Sequence, residues 1–298
     1  MEYHVPIMFS ECIEGLNIKP NGIYVDATFG GGGHSRGIID HLTSGKLIAF
    51  DQDSDAQANI IDDERFIFVH HNFKYLKNFI KYHGYEQVDG ILADLGVSSH
   101  HFDEEERGFS YRFDSELDMR MNRENPFSAK DVLNKYELKE LTRVFKEYGE
   151  LSNAYKLAQL IILHRTENQI NTTSDLFEAI KEATPQNNEY KLYAKLFQAL
   201  RIEVNKELEV LEQFLVQASK LLKTGGRLAI ITFHSLEDRM VKNFFKTGKI
   251  SGEIEKDFYG NLQTPFKMVT KKPLEAQKEE LEKNSRARSA KLRIVEKI

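Results

Sequence analysis

The chain has 298 residues and a mass of 34.5 kDa, enough for one large domain or two ordinary ones, which excludes a peptide-like module. Hydrophobic residues at 41% and charged residues at 29% exclude the disordered regime of low hydrophobicity and high net charge, and the formal charge of −5 excludes a chain that is basic throughout. Cys12 is the only cysteine, so an internal disulfide and a thiolate zinc cluster are excluded and a reducing cytoplasm is expected.

In chain order, MEYHVPIMFSEC has no basic region leading into an apolar run, and no later stretch approaches about 18 uninterrupted apolar residues, so neither export nor membrane spanning is expected. Ile23 to Phe29 (IYVDATF) is a β-prone run that ends in four glycines, Gly30 to Gly33, and passes into an amphipathic stretch from His34 to Leu42. That order predicts strand, tight loop, helix. Lys46 to Asp51 (KLIAFD), Arg65 to Val69 (RFIFV) and Val88 to Leu95 (VDGILADL) supply three further strands. Strands separated by helical segments imply parallel pairing through right-handed crossovers, with helices on both faces of the sheet. The fold class is therefore α/β and Rossmann-like.

After Ser99 the strand alternation gives way for about 100 residues to helical periodicity, with Leu138, Leu141, Phe145 and Tyr148 on one face and Leu176, Phe177, Ile180 and Ala183 on another. This predicts a discontinuous core of residues 1–105 and 206–298 around an inserted helical domain of residues 106–205. A long helical pattern from Tyr190 to Leu222, broken once, is expected to stop at Gly225 and Gly226. Arg227 to Phe233 (RLAIITF) is a fifth strand, Gly248 to Pro265 a surface loop, and Phe266 to Thr270 with Ala290 to Val295 an antiparallel pair. From Lys267 to Ile298 there are ten Lys and Arg against five Glu, and NSRARSAKLR (Asn284 to Arg293) holds four cations and no acid. Such a run suits a phosphate backbone, and equally a solvated terminal strand.

A glycine-rich turn at the end of a first strand lets backbone approach a ligand closely, and Asp51 ends the second strand 21 positions after Gly30, where a carboxylate can accept from ribose hydroxyls. The spacing does not complete the G-x-G-x-x-G of a dinucleotide site, and GGGGHSRG is not a P-loop. A nucleoside cofactor without phosphates remains, with S-adenosylmethionine the natural candidate and a merely tight corner the alternative.

VDATFGGGGHS, ADLGVSS, RGFS, LDMRM, FQALRIEVNKEL, FHSLEDR and RARSAKLR resemble the successive motifs of the bacterial 16S ribosomal RNA cytosine-N4 methyltransferase family, of the MraW or RsmH type. The resemblance spans nearly the whole chain. It implies a class I methyltransferase fold with an inserted helical domain and S-adenosylmethionine as donor. The implied acceptor is cytidine 1402, in conventional bacterial numbering, in the decoding centre of the small ribosomal subunit. The implied set of cofactor residues is Gly32, Gly33, His34, Asp51, Phe73, Asp94 and His101, no metal is implied, and a homodimer is left open. His101 departs from the Gln common in the family. Read without the family, His34 is a helix-start residue and Phe73 a core aromatic.

Methylating an exocyclic amine requires its delocalised lone pair to be localised, and an acceptor in line with the donor does this. Asp94 is the candidate, contacting either the methionine part of the cofactor or the target amine. The chain reads Asp94, Leu95, Gly96, Val97, without the aromatic found in many amino-methyltransferases, so base stacking falls to Phe109, Tyr111 or Phe113. Arg107, Arg112, Arg120, Gln198, Arg201 and Asn205 either line an RNA cleft or form a solvated face. His234, Ser235, Glu237 and Asp238 lack the G-x-S-x-G context of a hydrolase, so substrate positioning is the stronger reading. His100, His101, Asp103 and Glu104 to Glu106 read as a hydrated acidic loop, since no H-E-x-x-H is present. Two other classes remain: a non-catalytic RNA-binding assembly factor, and methylation of a small molecule or protein.

Overall fold

The computed structural model describes residues 6–97, 104–260 and 263–298, so His100, His101 and Asp103 lie outside the described residues. In chain order it contains α1 (Phe9–Leu16), β1 (Ile23–Asp26), α2 (Gly33–Asp40), β2 (Lys46–Asp51), β3 (Phe66–His70), α3 (Leu76–Tyr82) and β4 (Val88–Asp94). The helices α4 (Ala129–Lys135), α5 (Leu138–Glu147), α6 (Ala154–His164), α7 (Thr173–Ile180) and α8 (Glu189–Asn205) follow. The chain closes with α9 (Glu207–Leu221), β5 (Leu222–Thr232), α10 (Ser235–Thr247), β6 (Phe266–Met268), β7 (Leu274–Glu275), α11 (Lys278–Lys283) and β8 (Lys291–Lys297). The chain divides into two compact units, Met1–Gly96 with Leu208–Ile298, and Val97–Glu207. The second unit begins directly after β4, ahead of residue 106 where the helical periodicity sets in.

The first unit is built on one sheet in the order β3-β2-β1-β4-β5-β8-β6, with β7 also on β8. The first five strands run parallel, and β8 is antiparallel to β5, β6 and β7. Side chains alternate across each strand, so the apolar runs feed two helical layers at once. Val25, Ile48, Ile91, Leu228 and Ile230 pack with Leu76, Ile80, Phe214 and Phe245. Their neighbours Tyr24, Leu47, Leu92, Ala229 and Ile231 pack on the opposite face with Cys12, Leu16, Ile38 and Ile39. This doubly covered parallel sheet is the α/β architecture that continuous apolar strands require.

The single break expected in the long helical pattern is found, and two other local features differ from the sequence expectation. The long helical pattern is interrupted at Lys206, which takes a left-handed φ of 53° between α8 and α9, and it ends at Leu221. Gly225 and Gly226 do not terminate that helix; they lie inside β5, where the register against β4 jumps from Val88↔Leu222 to Gly90↔Arg227. The expected antiparallel pair forms between β6 and β8, but the basic carboxyl end is built into the sheet and is not a solvated strand. β8 lies between β5 and β6, with Leu292, Ile294 and Val295 buried. Arg293 sits against Asp238, Nε donating at 2.8 Å to Oδ1 and one terminal nitrogen at 3.0 Å to Oδ2.

The second unit has its own core, in which Leu133, Leu141, Phe145, Leu157, Leu176 and Leu196 are fully buried. Buried Glu203 accepts from the Tyr136 hydroxyl at 2.6 Å, Arg143 at 2.8 Å and Lys206 at 2.7 Å, tying α8 to the helices around it. Burial raises the carboxyl's proton affinity, but these three donors outweigh it and hold Glu203 below the usual range.

Candidate active site

The carboxyl ends of β1, β2 and β4 converge on the glycine loop. Beyond β1 the backbone keeps pairing on both sides: Ala27 N donates to Leu92 O at 2.8 Å and Phe29 N to Phe50 O at 2.9 Å. The turn closes with Gly32 N on Phe29 O at 2.7 Å, and Gly30 and Gly32 take φ of 49° and 74°, a region costly for any residue with a Cβ. Asp51 accepts the Gly30 amide at 2.8 Å and the Asp53 amide at 2.9 Å, so the structure brings this carboxylate to the glycine loop. A Cβ built on Gly30 or Gly31 would meet nothing within 4 Å, so the loop presents open backbone on this side.

Asp94 ends β4, its amide donating to Thr28 Oγ1 at 2.7 Å. Its Oδ1 is buried with no hydrogen-bond partner among the described residues. Oδ2 lies 3.9 Å from His34 Nδ1. Burial, then the nearby charges of Asp26 and Glu237, push the Asp94 carboxyl up to about 8. His34 is buried and pushed down to about 4, so it is neutral beside Asp94 and the two form no ion pair. Its Nε2 lies 3.1 Å from the Ile7 carbonyl, which can only accept. The ring proton therefore sits on Nε2, and the Nδ1 lone pair faces Asp94. α2 is capped by Gly32 with no side-chain bond, so His34 does not satisfy the helix start.

Phe73 follows β3, half-buried against the core and edge-on to Phe214 at 5.1 Å. Asn72 beside it donates to Gln52 Oε1 at 2.8 Å, which joins this segment to the end of β2. Asp26, Thr28 and Ser35 went unassigned in the sequence reading. Fully buried Asp26 accepts from Ser35 Oγ at 2.7 Å and from the Thr28 amide at 3.0 Å, and burial raises its proton affinity.

The polar residues singled out in the second unit are largely committed within it. Arg107 is buried and donates to the Arg120 and Met121 carbonyls. Arg120 grips Asp118, Arg201 grips Glu207, and Gln198 donates to the Tyr148 carbonyl. Asn205 accepts from the Met121 amide and donates to the Met119 carbonyl. Arg112 and Phe113 are exposed, Phe109 is buried, and Tyr111 packs edge-on to Phe197. In the first unit His234 caps α10, accepting from the Glu237 amide, while Asp238 holds Arg293, so these groups do not assemble as a nucleophile, base and acid.

A bare carboxyl oxygen at the mouth of an open glycine loop, with a second carboxylate holding that loop, suits a ligand bearing both a cationic centre and sugar hydroxyls. Comparison with known proteins gives the same direction. The model of the MraW methylase family matches residues 1–298. The chain belongs to the MraW methylase family.

Relatives in this family include the ribosomal RNA small subunit methyltransferase H of Phocaeicola vulgatus, 57% identical over 99% of this chain and 97% of that protein. The protein of the same name from Bacteroides thetaiotaomicron is 55% identical over 100% and 98%. That of Flavobacterium johnsoniae is 54% identical over 100% and 99%. The chain is thus a methyltransferase of the MraW family, and its parallel sheet with an antiparallel β8 is a class I methyltransferase core.

Proposed function

We propose that the protein transfers the methyl group of S-adenosylmethionine to N4 of cytidine 1402 in the decoding centre of 16S ribosomal RNA. The observation that carries the chemistry is the partnerless buried Oδ1 of Asp94 at the carboxyl edge of the sheet. Supporting the acceptor class are relatives named as small-subunit ribosomal RNA methyltransferases across the full length of the chain.

Gly32, Gly33 and His34 would shape the cofactor loop, Asp51 would take the ribose hydroxyls, Phe73 would lie by the adenine, and His101, outside the described residues, would complete the set. The cofactor supplies an electrophilic methyl on a sulfonium. Asp94 accepts a hydrogen bond from the cytosine amino group, which draws the nitrogen lone pair out of the ring. Asp94 would also take the N4 proton that the amine sheds on gaining the methyl group. Its affinity for a proton, raised by burial to about 8, suits that task near neutral pH. The alternative assignment of Asp94 places it on the methionine part of the cofactor, and the buried acids around it serve either role.

The helical unit of Val97–Glu207 is assigned to RNA recognition, with Phe113 the most exposed of the three aromatics considered for stacking. No helix of the described residues is long and apolar enough to cross a membrane. A lone buried thiol and a ribosomal acceptor support action in the cytoplasm. Incubating purified protein with S-adenosylmethionine and small subunits, then mapping the RNA by mass, tests the reading. One added methyl on the decoding-centre cytidine at N4 is the expected result; methylation elsewhere, or RNA binding without incorporation, overturns it.

A further inference from the structure

The segment His71 to Tyr85 is free of acidic residues in a chain of net charge −5, and it carries Lys74, Lys77 and Lys81 interleaved with Tyr75, Tyr82 and Tyr85. On α3 the residues Leu76 and Ile80 point into the core, which turns Lys77, Asn78, Lys81 and Tyr82 outward along a shallow open groove. Tyr82 is 81% exposed, with His83 edge-on at 5.2 Å, and Tyr75 is 44% exposed, with His71 edge-on at 6.0 Å; such exposure is unusual for large aromatics. Lys74 sits over the Tyr75 ring at 4.9 Å. The face is rigidly mounted: Gln217 of α9 accepts from the Lys77 amide at 2.9 Å and donates to the Lys74 carbonyl at 2.7 Å. The start of this segment is tied to the loop after β2, next to Asp51, through Asn72 and Gln52.

Three ammonium groups with no neighbouring acid in the segment, beside the largely exposed ring of Tyr82, have the chemistry of a single-stranded nucleic acid track. Cations neutralise phosphates, and rings stack unpaired bases without reading sequence. An acidic protein surface would complement the charges but would make no use of the exposed rings. We propose that the outer face of α3 is an RNA-binding surface, Lys77 and Lys81 holding phosphates and Tyr82 stacking an unpaired base of the substrate. The inference rests on the RNA reading above. It adds a second point of attachment on the methyltransferase core itself, separate from the inserted helical unit.

The test uses the full-length protein, S-adenosylmethionine, and a transcribed small-subunit RNA fragment carrying the decoding-centre cytidine. Lys77→Glu with Lys81→Glu, and separately Tyr82→Ala, alter exposed side chains, so folding and cofactor affinity stay at wild-type values. The charge reversal is expected to weaken RNA binding about tenfold or more at physiological salt. It should also flatten the slope of log affinity against log salt by about 1.5. Tyr82→Ala is expected to weaken binding about tenfold with the salt slope kept. Turnover at saturating RNA remains that of the wild type.

Unchanged RNA affinity in both variants, with wild-type protein still methylating the fragment, overturns the α3 assignment alone. An equal loss on reversing Lys271 and Lys272 to Glu, elsewhere on the surface, also overturns it by showing a general charge effect. Poly-glutamate competing as well as RNA for α3 overturns it in favour of an acidic protein partner. Wild-type protein that takes up S-adenosylmethionine yet neither binds nor methylates the fragment overturns this inference together with the RNA reading.

Discussion

Asp94 keeps its proton into the neutral range because burial and two neighbouring acids, Asp26 and Glu237, all oppose the charged form. If it is the proton acceptor, kcat/KM for RNA methylation rises with pH and levels off above about 8, which a pH profile of initial rates checks. Asp94→Asn removes the acceptor while keeping size. Turnover is then expected to fall by about 10²–10⁴-fold with calorimetric affinity for S-adenosylmethionine retained; loss of that affinity would move the residue to the cofactor role. The same group governs stability. Its folded-state proton affinity lies above the unfolded value of about 4, so its contribution is complete below that pH and is lost as pH rises towards about 8. The Asn variant does not titrate, and its melting temperature relative to wild type is expected to climb between pH 5 and 9. The place of Asp51 beside the glycine loop was legible at this scale, because a carboxylate ending the second strand 21 residues past a glycine turn is brought back to that turn by parallel pairing. Asp26 was not, because nothing in a linear reading tells an acid that closes a strand from one held dry beneath it by Ser35 and Thr28.

Strands separate the legible from the illegible most sharply. β1, β2, β3 and β4 are short apolar runs bounded by polar turns, and pattern alone marks them. β8 was legible as the antiparallel partner of β6, but its Lys291, Arg293, Glu296 and Lys297 gave no sign that Leu292, Ile294 and Val295 are buried within the sheet. Composition gave it the look of a solvated or RNA-binding run, whereas its pairing with β5, β6 and β7 makes it integral to the sheet. Removing Ser285 to Ile298 is therefore expected to abolish soluble folded protein rather than RNA affinity alone, as circular dichroism and gel filtration would show. Within the strand, Arg293→Ala strands the Asp238 carboxylate, and an expected loss of about 3 kcal/mol is measurable by urea unfolding. The Gly225–Gly226 pair was misread for a related reason: glycine signals a departure from regular backbone, and a register jump inside β5 satisfies that signal as well as a helix stop does.

For the molecule as a whole, the separate cores of the two units give separable energetics. Phe145→Ala, in the heart of the helical unit, is expected to cost about 3–5 kcal/mol there while leaving affinity for S-adenosylmethionine near that of the wild type, which unfolding and calorimetry would report side by side. β4 and β5 stay bonded neighbours although the whole of Val97–Glu207 intervenes, and α9 alone provides the crossover their parallel pairing demands. Because the entropy of closing a loop grows only with the logarithm of its length, the sheet is almost indifferent to what is spliced in at that junction. The fold thus offers a socket: if the helical unit reads the RNA as proposed, a different head between the same two strands would redirect one transfer reaction to a new acceptor without rebuilding the engine beneath.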